Sequence, residues 1–199
     1  MITGAVLAGG QSRRFGRDKA LEIFQGNRLV DRAVQGLCAL CDPVLVVAND
    51  LGPLLDVDAA LVRDVLPRRG PLGGIYTALY FSPHPWVLVK ATDMPFLEPA
   101  LGEQLVREAA RTRADVIVAR MGPYYEPLLA AYHVRCLPHV ARCLREDRRQ
   151  IISFYGKVRL RVLEEEQWRP LDPEGKSFWN VNTPEDLRRI LAHEDGREL

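Results

Sequence analysis

The chain has 199 residues, 47% of them hydrophobic and 27% charged, the balance of an ordinary globular protein with room for one α/β core. A formal net charge of +1 gives no general electrostatic case for a nucleic-acid or membrane partner, so any basic patch must be local. Only four of the 27 basic residues are lysines, and one of them, Lys19, falls in the most informative segment.

The opening MITGAVLAGG has no basic residues before its apolar run and no A-x-A-like site after it. It reads as a buried first strand, Thr3–Ala8, rather than a secretion signal. No apolar stretch approaches transmembrane length, and the expectation is a cytoplasmic protein with reduced thiols. Next, Leu29–Leu40 repeats apolar residues at helical spacing (Leu29, Val30, Ala33, Val34, Leu37, Leu40). Cys38 and Cys41 lie at the end of that pattern. Without a second C-x-x-C, and with Cys136 and Cys143 far downstream beside His133 and His139, the cysteines read as small hydrophobes rather than a zinc or redox site.

Further strands are predicted at Val44–Ala48, Trp86–Lys90, Val116–Ala119 and Leu128–Tyr132, and helices at Leu72–Phe81, Pro99–Arg111, Leu137–Leu144 and Pro184–Ala192. Asp172–Lys176 reads as a turn and the last residues, Glu194–Leu199, as a charged frayed end. There is no repeat or linker, so residues 1–199 are expected to form one domain. The alternation implies a three-layer α/β/α Rossmann-like sandwich with a mostly parallel sheet. Ligands of such sheets sit beyond the carboxyl ends of the strands, which directs attention to the loops after Ala8, Ala48, Val62 and Lys90.

The first of these loops runs Leu7-Ala8-Gly9-Gly10-Gln11-Ser12-Arg13-Arg14-Phe15-Gly16-Arg17-Asp18-Lys19. Adjacent glycines let a phosphate approach main-chain N–H groups, and Ser12, Arg13, Arg14 and Lys19 add donors and charge, a composition suited to a triphosphate. The spacing fits neither a dinucleotide fingerprint nor a Walker A loop, since Gly9 and Gly10 are adjacent and Gly16 is followed by Arg17. Asn49 ends the second strand with an amide able to read a base edge or a ribose, although an Asx turn would also explain it. Asp64 precedes Pro67-Arg68-Arg69-Gly70-Pro71-Leu72-Gly73-Gly74, where a turn opens a helix whose N-terminus favours anions. Gly73 and Gly74 are costly inside a helix, which points to close approach of a ligand or a neighbouring element. Asp93 in Ala91-Thr92-Asp93-Met94-Pro95-Phe96 stands just past a buried strand, where a carboxylate can hold magnesium or simply start a turn before Pro95. In Asn180-Val181-Asn182-Thr183-Pro184-Glu185-Asp186, Thr183, Pro184 and Asp186 make a helix cap, while Asn180 and Asn182 share a face if the segment is extended.

Taken together, L-A-G-G-x-S-x-R-F-G-x-D-K, D-x(n)-G-P-L-x-G, T-D-x-P-F-L and N-V-N-T-P-E-D-L resemble the nucleotidyltransferase superfamily, and within it the molybdenum cofactor guanylyltransferases. Phe15 stands where methionine is commoner in that family. The resemblance implies transfer of GMP from GTP to the phosphate of molybdopterin with release of pyrophosphate and Mg²⁺ as cofactor. It implies main-chain contacts to nucleotide from Leu7, Ala8 and Gly9, with Gly10, Ser12, Lys19, Gly70, Pro71, Leu72 and Asp93 lining the same site. Asn49 and Asp64 would read guanine, the carboxylate of Asp64 accepting from N1 and the exocyclic amine. Lys19, Asp93 and Arg13 are the candidate catalytic residues, Asp93 the metal ligand, and Asn180 and Asn182 the acceptor-side residues. Tyr125-Glu126-Pro127-Leu128 resembles an (H/E)-P-L segment and belongs either to acceptor binding or to the sheet. Partners would be GTP, the molybdenum cofactor and, transiently, proteins of cofactor synthesis and molybdoenzyme maturation. The alternatives are a CTP-dependent or other small-cofactor sibling and a non-catalytic nucleotide-binding module. The second is disfavoured because a mere binder does not need Lys19 and Asp93 together.

Overall fold

The computed structural model describes residues 1–9 and 19–194. In chain order it contains β1 (Thr3–Leu7), a short hairpin of β2 (Ile23–Phe24) and β3 (Asn27–Arg28), α1 (Leu29–Cys38), β4 (Val44–Ala48), β5 (Ala60–Arg63), α2 (Pro71–Phe81), β6 (Trp86–Ala91), α3 (Pro99–Arg111), β7 (Val116–Met121), β8 (Tyr124–His133), α4 (Leu137–Arg145), β9 (Leu160–Leu163), α5 (Glu165–Trp168) and α6 (Pro184–Glu194).

Seven strands form one sheet in the order β5-β4-β1-β6-β8-β7-β9. Pairings β5–β4, β4–β1, β1–β6 and β7–β9 are parallel, and β8 runs antiparallel to both of its neighbours. The expected sandwich with a mostly parallel sheet is therefore present. Every residue of β1, β4 and β6 is buried, the signature of central strands covered by helices on both faces.

Side chains alternate between those faces as a pleated strand requires. Val6, Val46, Leu88 and Ala131 pack with Val30, Val34 and Leu37 of α1 and Leu101 and Leu105 of α3. Ala5, Leu7, Val47, Val87 and Val89 pack on the opposite side with Leu72, Ile75 and Ala78 of α2 and Val140 and Leu144 of α4. A smaller cluster of Phe24, Leu29, Val181 and Ile190 joins the hairpin to α6.

Register sets the site. Leu7 lies beside Val47 and Ala91, and Ala48 beside Arg63, so the chain leaves β1, β4, β5 and β6 along one edge of the sheet. Order along the sheet turns at β1, which sends the chain to β4 on one side and pairs with β6 on the other, the place where open α/β sheets part to receive ligands.

Besides the short hairpin, two strands of the seven-stranded sheet escaped the apolar-run criterion. β5 and β9 are edge strands with mixed exposure, so Ala60–Arg63 and Leu160–Leu163 lack a buried hydrophobic run. The predicted strand at Leu128–Tyr132 is the inner half of a ten-residue strand whose first residues, Tyr124–Pro127, are polar or only partly covered. That places Tyr125-Glu126-Pro127-Leu128 in the sheet. Since Leu129 is paired with Lys90, the segment lies level with the exit from β6. Glu126 is half-buried, and burial pushes its carboxyl up.

Candidate functional site

At the exit from β1, Ala8 donates its N–H to Val47 O (2.9 Å), which holds the chain level with β4 before it turns at Gly9. A Cβ on Gly9 would stand 3.3 Å from Nδ2 of Asn49, so the first loop and the end of β4 meet there. Asn49 is exposed, and the turn that follows is capped by its neighbour Asp50, whose Oδ1 accepts from Gly52 N at 3.0 Å. Gly10, Ser12 and Arg13 lie outside the described residues.

Asp64, at the exit from β5, is 9% exposed. Its Oδ1 accepts from Thr77 Oγ1 at 2.7 Å and from Leu66 N at 3.0 Å. Thr77 is fully buried on α2, and its hydroxyl also accepts from Val65 N at 3.2 Å and lies 3.1 Å from Gly73 O. One oxygen of Asp64 therefore builds the turn from 64 to 66. Oδ2 lies outside this arrangement.

Gly70, with φ 67°, caps α2 in a conformation disfavoured for other residues, and Pro71 takes the first helical position. The close approach foreseen at Gly73 and Gly74 is made by the protein itself. A Cβ on Gly73 would lie 3.0 Å from Leu66 O, and one on Gly74 3.1 Å from Cδ2 of Leu7. Leu72 is fully buried against the sheet, so any contact it makes with a ligand is through main chain.

The exit from β6 gathers the remaining residues. Lys19 begins a short 3₁₀ turn, and its Nζ donates to Asp93 Oδ2 and to Asn182 Oδ1, both at 3.1 Å. Two segments, 74 and 163 residues away in sequence, thus converge on one ammonium. Val181 N donates to Asp93 O at 2.8 Å and brings the C-terminal segment into register with this loop. Asp186 Oδ2 accepts from the N–H groups of Asn182 and Thr183, while Asp186 N donates to Thr183 Oγ1, forming the expected cap. The hydrogen bond from Asn182 leads the effects that hold the Asp186 carboxyl below its usual range. Asn180 does not join the cluster. It is exposed, and its Nδ2 turns back to Phe178 O at 2.9 Å.

Asp93 Oδ1 is buried and has no hydrogen-bond partner among the described residues. A buried carboxylate oxygen without a donor is costly unless a cation meets it. Magnesium commonly takes one or two carboxylates together with phosphate oxygens and waters. The single carboxylate fits that chemistry, although no cluster of three or more His, Cys, Asp or Glu exists among the described residues. The four cysteines are free: Cys38 is exposed and Cys41, Cys136 and Cys143 are buried, as small core residues would be.

Two residues that sequence reasoning did not single out support this site. One is Thr77, behind Asp64. The other is Lys90, 1% exposed in β6, whose Nζ donates to Met94 O and to Phe96 O, the latter at 3.0 Å. Burial lowers its pKa to about 7, opposed by the charge of Asp93. A charged residue within the otherwise apolar run Val87-Leu88-Val89-Lys90-Ala91 is the sequence signal that marks it.

Residues 4–160 match the model of the MobA-like NTP transferase domain. A molybdenum cofactor guanylyltransferase of Desulfosudis oleivorans is 36% identical over 192 residues, covering 96% of this chain and 95% of that protein. A probable molybdenum cofactor guanylyltransferase of Chloroflexus aggregans is 36% identical over 199 residues, covering 97% and 95%. The crystal structure of molybdopterin-guanine dinucleotide biosynthesis protein A from Archaeoglobus fulgidus superposes with a TM-score of 0.85 at 28% identity, covering 98% of this chain and 99% of that one.

Proposed function

For a chain that belongs to the MobA-like NTP transferase family, as this one does, we propose the reaction named by its relatives: transfer of GMP from GTP to the terminal phosphate of molybdopterin. The observation that carries the proposal is the convergence of Lys19, Asp93 and Asn182, with one Asp93 oxygen left without a donor among the described residues. A phosphate oxygen of the acceptor forms a bond to the α-phosphorus of GTP, the bond from that phosphorus to the bridging oxygen of the β-phosphate breaks, and pyrophosphate leaves with that oxygen.

Both reactants are anionic and repel at close range. Lys19 supplies a compact positive charge to the phosphates and to the charge that develops on them in transfer. Asp93, through Oδ1, and the nucleotide phosphates would hold Mg²⁺, which when bound offsets phosphate charge and orients the reacting groups. The main chain from Leu7 to Gly9 would cradle the nucleotide, with the loop through Gly10, Ser12 and Arg13 supplying phosphate donors. Asn49 and the outer oxygen of Asp64 would read guanine. Asn182, fixed by the α6 cap and bonded to Lys19, marks the acceptor side, where Asn180 would also act. Four free cysteines suit a reducing compartment, and the proposal places the enzyme in the cytoplasm as one domain over residues 1–199.

A panel of GTP, CTP, ATP and UTP with Mg²⁺, each with and without molybdopterin, tests the reading by pyrophosphate release. GTP with molybdopterin should be the productive pair. Turnover with CTP as efficient as with GTP would make the chain a cytidylyltransferase or an unselective enzyme, and nucleotide binding with no pyrophosphate from any pair would reduce it to a binding module.

A further inference from the structure

Lys90 stands where every neighbour in its strand is apolar and buried. Val87, Leu88, Val89 and Ala91 show what β6 would carry if packing alone decided. A lysine this deep is seldom found without a carboxylate partner. The acceptors it meets are instead two main-chain carbonyls, Met94 O and Phe96 O. The intervening carbonyl, Pro95 O, accepts from Arg32 Nε at 3.4 Å, and the preceding one, Asp93 O, from Val181 N at 2.8 Å. Four successive carbonyls, from residue 93 to residue 96, are thus each held by a donor from another part of the chain, and Lys90 supplies two of those bonds. The four carbonyls are tied while Oδ1 of the Asp93 side chain has no donor among the described residues.

We infer that Lys90 is a positioning residue for the metal-binding carboxylate: its buried amine fixes the loop after β6 so that Asp93 holds its buried Oδ1 in place for a cation without reorganisation. The inference rests on the reading of Asp93 as the Mg²⁺ ligand. It assigns Lys90 no contact with substrate. The rigidity it supplies acts through backbone placement, since sites held by locked supporting contacts bind metals in the productive geometry.

Lys90→Met keeps length and removes both donors. Relief from holding a buried charge offsets the loss of the donors to Met94 O and Phe96 O, so the melting midpoint should stay close to that of the wild type. GTP affinity measured calorimetrically without metal should stay within about twofold, because the first loop and the base side are untouched. The factor by which Mg²⁺ tightens GTP binding should fall toward one, and turnover should drop by about tenfold or more, in line with the loss of a supporting partner at a metal site. Lys90→Gln, one bond too short to reach both carbonyls, should show the same metal-specific loss and serves if the methionine variant does not fold. Either variant folded with the wild-type Mg²⁺ effect and turnover would overturn the inference. So would a lowered melting midpoint with metal-free GTP binding lost in parallel, which marks a general structural role. The Mg²⁺ effect on GTP binding needs no acceptor. A wild-type protein that binds Mg²⁺ and GTP together but releases no pyrophosphate therefore defeats the proposed reaction without touching Lys90. A wild-type protein indifferent to Mg²⁺ defeats both.

Discussion

The two aspartates at the sheet edge are built in opposite ways. Asp64 spends one oxygen on its own surroundings: Thr77 Oγ1 and Leu66 N both donate to Oδ1, and the carboxylate shapes the turn between β5 and α2. Asp93 does little of that work. Its loop is held by Lys90, Arg32 and Val181 through main-chain carbonyls, its Oδ2 meets Lys19, and its Oδ1 has no donor among the described residues. A carboxylate that organises its loop has limited capacity left for a ligand, whereas one whose loop is organised by others keeps an oxygen for it. The first arrangement suits recognition of a neutral base edge by the one remaining oxygen, and the second suits a divalent cation.

The contrast breaks most severely at Asp93. Asp93→Asn keeps shape and one oxygen but removes the charge, and loss of metal-held transition-state stabilisation, worth several kcal/mol, should lower pyrophosphate release by about three orders of magnitude. Activity within a few-fold of wild type would leave Asp93 as a turn residue before Pro95. Lys19→Ala should come next. It removes charge that meets the phosphates in both ground and transition states and frees Asp93 Oδ2 and Asn182 Oδ1, so GTP affinity and turnover should both suffer, about a hundredfold in kcat/KM. Steady-state kinetics showing only a KM effect would remove Lys19 from the reacting centre. Because Lys19 and Asp93 touch, the double variant should lose less than the product of the single losses.

The frame behind Asp93 has a stability signature of its own. Burial holds the Lys90 ammonium at about pKa 7 in the folded protein, against an ordinary value near 10.4 in the unfolded chain. Between pH 7 and 10 the unfolded chain binds a proton that the folded protein does not, so this group makes folding stability rise with pH over that window, by at most about 1.4 kcal/mol per unit. Stability measured by denaturant for wild type minus Lys90→Met should climb from pH 7 to pH 10. The subtraction removes the opposing contribution of buried thiols such as Cys41 and Cys136, which burial pushes up to about 12. A flat difference would mean that Lys90 keeps its proton when folded.

The smallest effect is expected behind Asp64. Thr77→Val removes a donor to Oδ1 without opening a cavity, and a misdirected Asp64 should distinguish guanine less well. Competition between GTP and ITP, which lacks the exocyclic amine, reads this directly. The wild-type preference, about tenfold for one hydrogen bond, should shrink by a few-fold while turnover at saturation changes little. An unchanged preference would confine Thr77 to holding the turn.

Much of this organisation can be read in the chain itself, for identifiable reasons. β1, β4 and β6 are buried on both faces, so their apolar runs announce them, and their loops carry the residues that matter. Edge strands β5 and β9 are half-exposed and give no such run. The individual site residues Lys19, Asp93 and Asn182 were legible as motif positions, but their meeting was not, since it depends on Val181 pairing with the Asp93 loop and on the α6 cap. Asn180 and Asn182 look equivalent from their spacing, but the Asn180 side chain donates back to Phe178 O while that of Asn182 meets Lys19. Thr77 and Lys90 were missed because each belongs to an element that reads as plain core. A polar residue within a buried run, which must find its partners inside the protein, was the available clue.

Calorimetric GTP binding with and without Mg²⁺, for the wild type, Asp93→Asn and Asp64→Asn, shows whether Asp93 is held ready for a cation while Asp64 is not. Mg²⁺ should tighten GTP binding in the wild type, Asp93→Asn should lose this enhancement while retaining most metal-free affinity, and Asp64→Asn should bind GTP more weakly in both conditions with the enhancement preserved. Full Mg²⁺ enhancement in Asp93→Asn, or its loss in Asp64→Asn alone, would contradict this difference between the two aspartates.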